Sequence, residues 1–423
     1  MTGLMQAAGI GEPAAWNAEV DAWVAQAIPR VVTFEDLVRA LPGVTPEDAL
    51  RGLRRVGGAR AASLEADAEV DRSPSGVDQC RGLPLPHPLD SEFRFDKPTA
   101  RGLARSLLAA TAPGEEILLV GTPTVALELA SICSDRLVRF VGPEDSVSAA
   151  VAAAFSDGRL ALGEGSAGTA AAALADPPWY VGPFGDMLWA CSRGCRAGVP
   201  VWAVLPPVGA RPGARSDRAE FLRMAAAMGL WGDANFERVR YRTPLFELAA
   251  MERQGIGRLA DWRSGDLVRL AVGPPQSPSG PLRTPRPCEL TLRGVRIRLL
   301  RDGRSGGAGP TTLSAVGADE VFSTVSSRGP GRDRANLWTT GNRAFEVDVG
   351  LASAALAAIA RAGAGLLHLG FEAPQIHFPT DSGIAPPNCL IHQLLELIGR
   401  ELDDARRLTG DGAWLETGMD WRC

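Results

Sequence analysis

Between residues 85 and 272, short apolar runs alternate with stretches patterned as helices, and few folds admit that order. Strands separated by helices pair in parallel and are covered on both faces, so an α/β domain is expected here. Residues 116–120 (Glu-Ile-Leu-Leu-Val) are the first run, closed by Gly121 and followed by a helix through about Cys133. Residues 136–141 are the second, ending in Gly142-Pro143-Glu144-Asp145 before an Ala/Val helix. Leu160 to Leu162 precede Glu164, and residues 201–205 run into paired prolines ahead of a helix expected over 217–229. One strand opposes its own propensities. Residues 168–174 (Gly-Thr-Ala-Ala-Ala-Ala-Leu) favour helix, and only burial between two helical layers makes them a strand.

A parallel sheet binds its ligand beyond the carboxyl ends of its strands. Gly121, Glu144, Asp145, Glu164 and Asp176 all fall at such ends. The run Asp176-Pro177-Pro178-Trp179-Tyr180 carries the most chemistry. Each proline fixes its own φ and pushes the residue before it to extended geometry, so Asp176 and the Pro177 carbonyl become rigid acceptors beside an aromatic face. That arrangement suits an amine whose N–H groups must be held still. The plainer alternative is a strand-ending turn in which Trp179 simply packs.

Two further modules flank this one, as 423 residues exceed what one core usually holds. Residues 14–70 read as a helix-turn-helix, with Thr33 and Thr45 opening its helices and residues 56–64 closing a small wing. Eleven acids face seven arginines through Arg72, which makes nucleic acid an improbable partner even though Arg51, Arg54 and Arg55 lie together; a dimerisation or lid role fits better. Residues 285–423 follow a Pro/Ser/Gly-rich linker and read as an α+β domain, with a half-buried hairpin at 290–299 and helices over 350–362 and 390–406. Between them Arg332, Arg334, Asn336, Trp338, Asn342 and Arg343 crowd a glycine-rich loop able to grip a carboxylate or phosphate, or a protein partner. His87, between prolines, is placed to reach the central pocket.

Charge and cysteines narrow the class. A net charge of -5 gives no pull toward anionic membranes, and no run of some 18 apolar residues or secretion signal occurs, so a cytoplasmic protein is expected. Seven scattered cysteines suit reduced thiols. Cys191, Cys195, Cys389 and His392 make a zinc site only if two domains meet, and no metal is expected.

The order of parts resembles the Rossmann-like class I S-adenosylmethionine-dependent methyltransferases, and more closely the bis-aminopropyl spermidine (branched-chain polyamine) synthases. The resemblance rests on the N-terminal winged-helix-like module, the approach segment Leu85-Pro86-His87-Pro88-Leu89-Asp90-Ser91-Glu92-Phe93-Arg94-Phe95, the turn Leu119-Val120-Gly121-Thr122-Pro123-Thr124 and the Asp176 to Tyr180 motif. Thr243-Pro244 with Glu247 adds an end-of-domain pattern, and the likeness covers about residues 20–272. It implies a cofactor, S-adenosylmethionine or its decarboxylated form, held by Gly121, Thr122 and Thr124, with Glu144 or Asp145 on the ribose and Glu164 near the adenine. It also implies that Asp176 and the Pro177 carbonyl orient the acceptor amine while Trp179 or Tyr180 stacks on it. The expected reaction is methyl or aminopropyl transfer to the nitrogen of a small-molecule or protein-borne amine. The chain departs from the pattern at Thr122-Pro123-Thr124, where the polyamine enzymes carry acids and ordinary methyltransferases further glycines. Two alternatives therefore stay open: a non-catalytic binding or assembly subunit, and a nucleobase N-methyltransferase. A homo-oligomer formed through the N-terminal module is also expected.

Overall fold

The apolar run at 116–120 becomes the centre of a seven-stranded sheet. The computed structural model describes residues 13–71, 82–90, 92–142, 145–274, 288–300, 309–316, 320–322, 333–362, 388–409 and 419–422. The sheet comprises β1 (Glu116–Val120), β2 (Leu137–Val141), β3 (Leu160–Leu162), β4 (Ala170–Ala175), β5 (Pro200–Leu205), β6 (Leu230–Arg240) and β7 (Ser264–Val272), in the order β3-β2-β1-β4-β5-β7-β6. Strands β1 to β5 pair in parallel, and β7 enters antiparallel between β5 and β6. Because β6 opposes β7, its carboxyl end lies on the same edge as those of β1 to β5.

Both faces of this sheet are covered, which explains the uninterrupted apolar runs. Ile117, Leu119, Ala172 and Leu174 pack with α5 (Lys97–Ala109), α6 (Pro123–Ile132) and α7 (Ser146–Ala154). Leu118, Val120, Ala173 and Ala175 pack with α8 (Val181–Gly194) and α9 (Ala214–Ala227). All six residues of β4 are buried, so the alanine-rich segment is a central strand despite its helical propensity. Its small side chains suit the middle of a sheet pressed by helices on both sides.

Residues 13–68 form α1 (Pro13–Ala27), α2 (Phe34–Ala40), α3 (Pro46–Val56) and α4 (Ala59–Ala68), with Thr33 and Thr45 capping α2 and α3 as expected. The wing expected at 56–64 is instead α4, whose Ala61, Leu64 and Ala68 turn inward at helical spacing. The arginines of α3 are matched within the module: Arg51 to Glu47 and Asp48, Arg54 to Glu65, and Arg55 to Asp21.

The C-terminal part is a six-stranded antiparallel sheet ordered β10-β12-β11-β9-β8-β13. Its strands are β8 (Cys288–Leu292), β9 (Val295–Leu299), β10 (Ser314–Ala315), β11 (Leu337–Thr339), β12 (Ala344–Glu346) and β13 (Met419–Arg422), covered by α11 (Val349–Ala362) and α12 (Asn388–Thr409). The hairpin β8–β9 is buried on both faces rather than half-buried. Cys288 is disulfide-bonded, which corrects the reading of all seven cysteines as thiols. Helix α10 (Leu245–Arg253) is buried from Leu245 through Met251, and it joins the N-terminal helices and the C-terminal sheet into one apolar cluster. No described helix is long and apolar enough to cross a membrane.

Candidate functional site

The carboxyl edge of the seven-stranded sheet gathers Gly121, Asp176 and Tyr241. Gly121 turns the chain out of β1 with φ 68°, a left-handed conformation that favours glycine. A Cβ there would lie 3.3 Å from the Asp176 carbonyl and 3.0 Å from Met187 Cε, so the turn is also closely packed. Thr122 and Thr124 follow at the start of α6, with relative exposures of 1% and 3%, and neither buried hydroxyl has a hydrogen-bond partner among the described residues. Buried hydroxyls normally find one. Two orphans thus stand in the first turn of one helix, next to the sheet's central crossing point, where a parallel sheet of this kind leaves its ligand crevice.

Asp176 extends β4 by one residue, its amide donating to the Val120 carbonyl at 3.1 Å. The Tyr241 hydroxyl, just past β6, donates to Asp176 Oδ1 at 2.7 Å. Burial pushes the Asp176 carboxyl up to about 8, and the Tyr241 hydrogen bond opposes that shift. Pro177 is buried, and among the described residues no hydrogen bond ends on its carbonyl. The Tyr180 amide closes onto the Pro178 carbonyl at 2.7 Å, and the Tyr180 carbonyl then starts α8 by accepting from Phe184.

The aromatic residues form a cage beside this carboxyl. Trp179 stacks on Phe93 at 6.5 Å and meets Tyr241 edge-on at 6.2 Å, while Tyr241 stacks on Phe95 at 5.0 Å. Arg263 lies over Phe93 at 4.0 Å, Trp262 at 4.8 Å and Trp179 at 5.7 Å, and its guanidinium pairs with buried Glu247. Arg211 covers the Tyr180 ring at 5.4 Å, donates to the Trp179 carbonyl and pairs with Asp217 at 2.6 Å. Sequence reasoning passed over Tyr241, Arg263 and Arg211. A signal for the first existed: the chain has two tyrosines, Tyr180 and Tyr241, and both stand at this site.

The expected ribose and adenine contacts fare differently. Glu144 lies outside the described residues. Asp145 is not available as a ribose ligand: its Oδ1 caps α7 by accepting from the Val147 and Ser148 amides, and its Oδ2 is bonded by Arg296 and Arg298, each at 2.8 Å. Those arginines come from β9 and also engage Asp90, Glu92 and Glu289, forming a buried charge cluster between the two sheets. Burial raises the Asp145 carboxyl to about 6; burial also works against the Glu289 charge, yet Arg296 and Arg298 hold that carboxyl well below the usual range. Glu164, past β3, is exposed.

His87 does not reach the pocket. It is fully buried against the C-terminal sheet, with Nδ1 accepting from the Leu89 amide at 3.2 Å and Nε2 facing the Trp338 carbonyl at 3.4 Å. Burial, with help from Arg298 and Arg296, holds its pKa well below the ordinary value, so the ring is neutral.

The arginine-rich loop is mostly structural, which corrects the expectation of an anion grip. Arg343 pairs with Glu401 and Asp404 at 2.5 Å each; Asn336 bonds the Val347 backbone in both directions; Asn342 donates to the Phe322 carbonyl; and Trp338 is buried in β11. Arg334 is exposed and pairs with Glu346 at 3.3 Å, while Arg332 lies outside the described residues. Cys191 and Cys195 are buried thiols at the end of α8, Cys389 is exposed on α12, and His392 pairs with Glu396. Among the described residues no cluster of metal-binding side chains occurs.

A parallel sheet ordered 3-2-1-4-5-7-6, with strand 7 alone reversed, turns at Gly121 and presents Asp176 at the end of strand 4. The fold is that of the class I methyltransferases. No family model matches the sequence, and no curated protein matches it. Among solved structures, the branched-chain polyamine synthase from Thermus thermophilus, in complex with N4-aminopropylspermidine and 5'-methylthioadenosine, is similar over 63% of this chain and 90% of its own, at 13% identity and a TM-score of 0.42. The 16S rRNA (adenine(1408)-N(1))-methyltransferase from Catenulisporales acidiphilia is similar over 41% of this chain and 94% of its own, at 17% identity and a TM-score of 0.27. A sulfonium cofactor of the kind such folds hold would find unpartnered polar groups at the turn, where the Thr122 and Thr124 hydroxyls follow Gly121. At the ribose end Asp145 does not contribute.

Proposed function

We propose that the protein is a transferase that alkylates an amine nitrogen from S-adenosylmethionine or its decarboxylated form. The observation that carries this reading is the pair of buried, unsatisfied hydroxyls at Gly121 within the same strand edge as the Asp176–Tyr241 pair. Thr122 and Thr124 would hold the cofactor, which supplies an electrophilic carbon on a positively charged sulfur. Asp176 then does the work of the acceptor side. Its carboxylate accepts an amine N–H, the Pro177 carbonyl takes a second, and the nitrogen lone pair is left pointing away from both. Fixing that geometry supplies much of the rate. A carboxyl near 8 is also a stronger proton acceptor than an ordinary aspartate, and it takes the proton that the nitrogen sheds as it is alkylated. Tyr241 holds Asp176 in place and stabilises its anion.

Transfer of labelled methyl or aminopropyl groups to a panel of amines tests the reading, with Asp176→Ala as the control. Product that forms with the native protein and disappears with the variant supports it, and equal product from both overturns the role of Asp176.

The binding-subunit alternative draws on one specific observation, the commitment of Asp145 to Arg296 and Arg298. If the native protein binds neither cofactor, that reading takes precedence.

A further inference from the structure

Aromatic faces grouped beside a catalytic carboxylate ordinarily attract a cation from the substrate. Here the cage is already filled. Arg263 lies 4.0 Å from the centre of the Phe93 ring, 4.8 Å from Trp262 and 5.7 Å from Trp179, with only 7% of its surface exposed. Its charge is held there by Glu247, itself 4% exposed. The Trp179 ring is shared between this guanidinium and the Tyr241 ring that grips Asp176.

The carboxylates nearby are also engaged. Glu247 faces Arg263, Asp217 faces Arg211, Asp266 faces Arg218, and Asp176 accepts from Tyr241. The turn after β1, Thr122-Pro123-Thr124, carries no acid. A substrate with several ammonium groups would therefore meet a guanidinium where it needs a cage, and the four carboxylates just named are not free to offset the repulsion.

We propose that Arg263 is the specificity-determining residue of this site: its guanidinium occupies the aromatic cage beside Asp176, so the acceptor is an amine carrying no second positive charge. This rests on the transferase reading above and narrows its substrate class away from polyamines. Among the described residues, the buried Oε2 of Glu247 has no hydrogen-bond partner. Removing the guanidinium thus leaves a buried carboxyl group between aromatic walls, which an incoming cation can pair with in place of Arg263.

The test is calorimetric titration of the full-length protein with spermidine, for the native chain and for Arg263→Ala, with S-adenosylmethionine titrated in parallel. The native protein should give no heat with spermidine, and Arg263→Ala should bind it at least tenfold more tightly than the native chain does. If Arg263→Ala does not fold, Arg263→Gln, which removes the charge and keeps a hydrogen bond to Glu247, carries the same comparison. Spermidine binding by the native protein as tight as by the variant overturns the proposal, and so does a folded variant that gains nothing. The cofactor titration is read separately: its failure counts against the transferase reading, whereas spermidine binding by the native protein with cofactor heat intact counts against Arg263 alone.

Discussion

The Tyr241 hydroxyl donates to Asp176 Oδ1 at 2.7 Å across two intervening strands, because β6 and β4 end on the same edge of the sheet. One aromatic residue thereby fixes the acid that the site depends on and tempers its proton affinity. With the carboxyl near 8, roughly a tenth of the protein carries the Asp176 anion at pH 7. Transfer rate should rise about tenfold between pH 7 and pH 9, following deprotonation of Asp176. A pH–rate profile checks this, and a rate that is flat over that interval contradicts it.

Tyr241→Phe removes a hydrogen bond that favours the charged carboxyl, so the proton affinity of Asp176 rises further. The rising limb of the same profile should move to higher pH by roughly one unit, with the plateau rate changed far less than the rate at pH 7.

Asp176→Asn should cost a hundredfold or more in turnover, on the order expected for loss of a proton acceptor. It should also stabilise the fold at alkaline pH. A buried acid whose folded pKa is raised binds its proton more tightly folded than unfolded, so its destabilising effect develops as pH rises from about 4 toward 8. The Tm of the variant should exceed the native Tm at pH 8.5, and the gap should close near pH 4.

The sequence made the strand alternation legible because burial on both faces leaves an unbroken apolar record, and the Asp176 to Tyr180 motif because two prolines fix it locally. What stayed hidden depends on partners distant in sequence. Asp145 reads as a free acid at a strand end until Arg296 and Arg298, some 150 residues on, close over it. In the same way, Val295-Arg296-Ile297-Arg298-Leu299 alternates as a half-exposed strand does, yet its arginines face buried carboxylates rather than water. Tyr241 and Arg263 stand 65 and 87 positions after Asp176, and only the reversed strand β7 with its neighbour β6 brings them back. Asn336 and Asn342 resemble ligand-binding side chains in composition and instead satisfy the backbone groups of Val347 and Phe322, 11 and 20 positions away.

The cluster of Arg296 and Arg298 with Asp90, Glu92, Asp145 and Glu289 ties the two sheets together. Arg298→Ala leaves Asp90, Asp145 and Glu289 to share Arg296 alone, and removing one partner from buried ion pairs typically costs about 3–5 kcal/mol. Urea denaturation at pH 7 should show a loss of that size.

The arginines of the C-terminal loop should separate by role. Arg343→Ala breaks a buried pair to Glu401 and a part-buried one to Asp404, and should destabilise by about 3 kcal/mol, mostly through the stranded Glu401. Arg334→Ala removes one exposed contact to Glu346 and should change stability by less than about 0.5 kcal/mol. Denaturation curves of the two variants, measured side by side, check the contrast.

Isothermal titration with S-adenosylmethionine and its decarboxylated form shows whether the turn at Gly121, Thr122 and Thr124 holds the proposed cofactor. The account predicts saturable heat with one of them, weakened at least tenfold in Thr122→Val/Thr124→Val, whose fold circular dichroism confirms. No heat with either compound in folded native protein, or equal binding by the double variant, would contradict it.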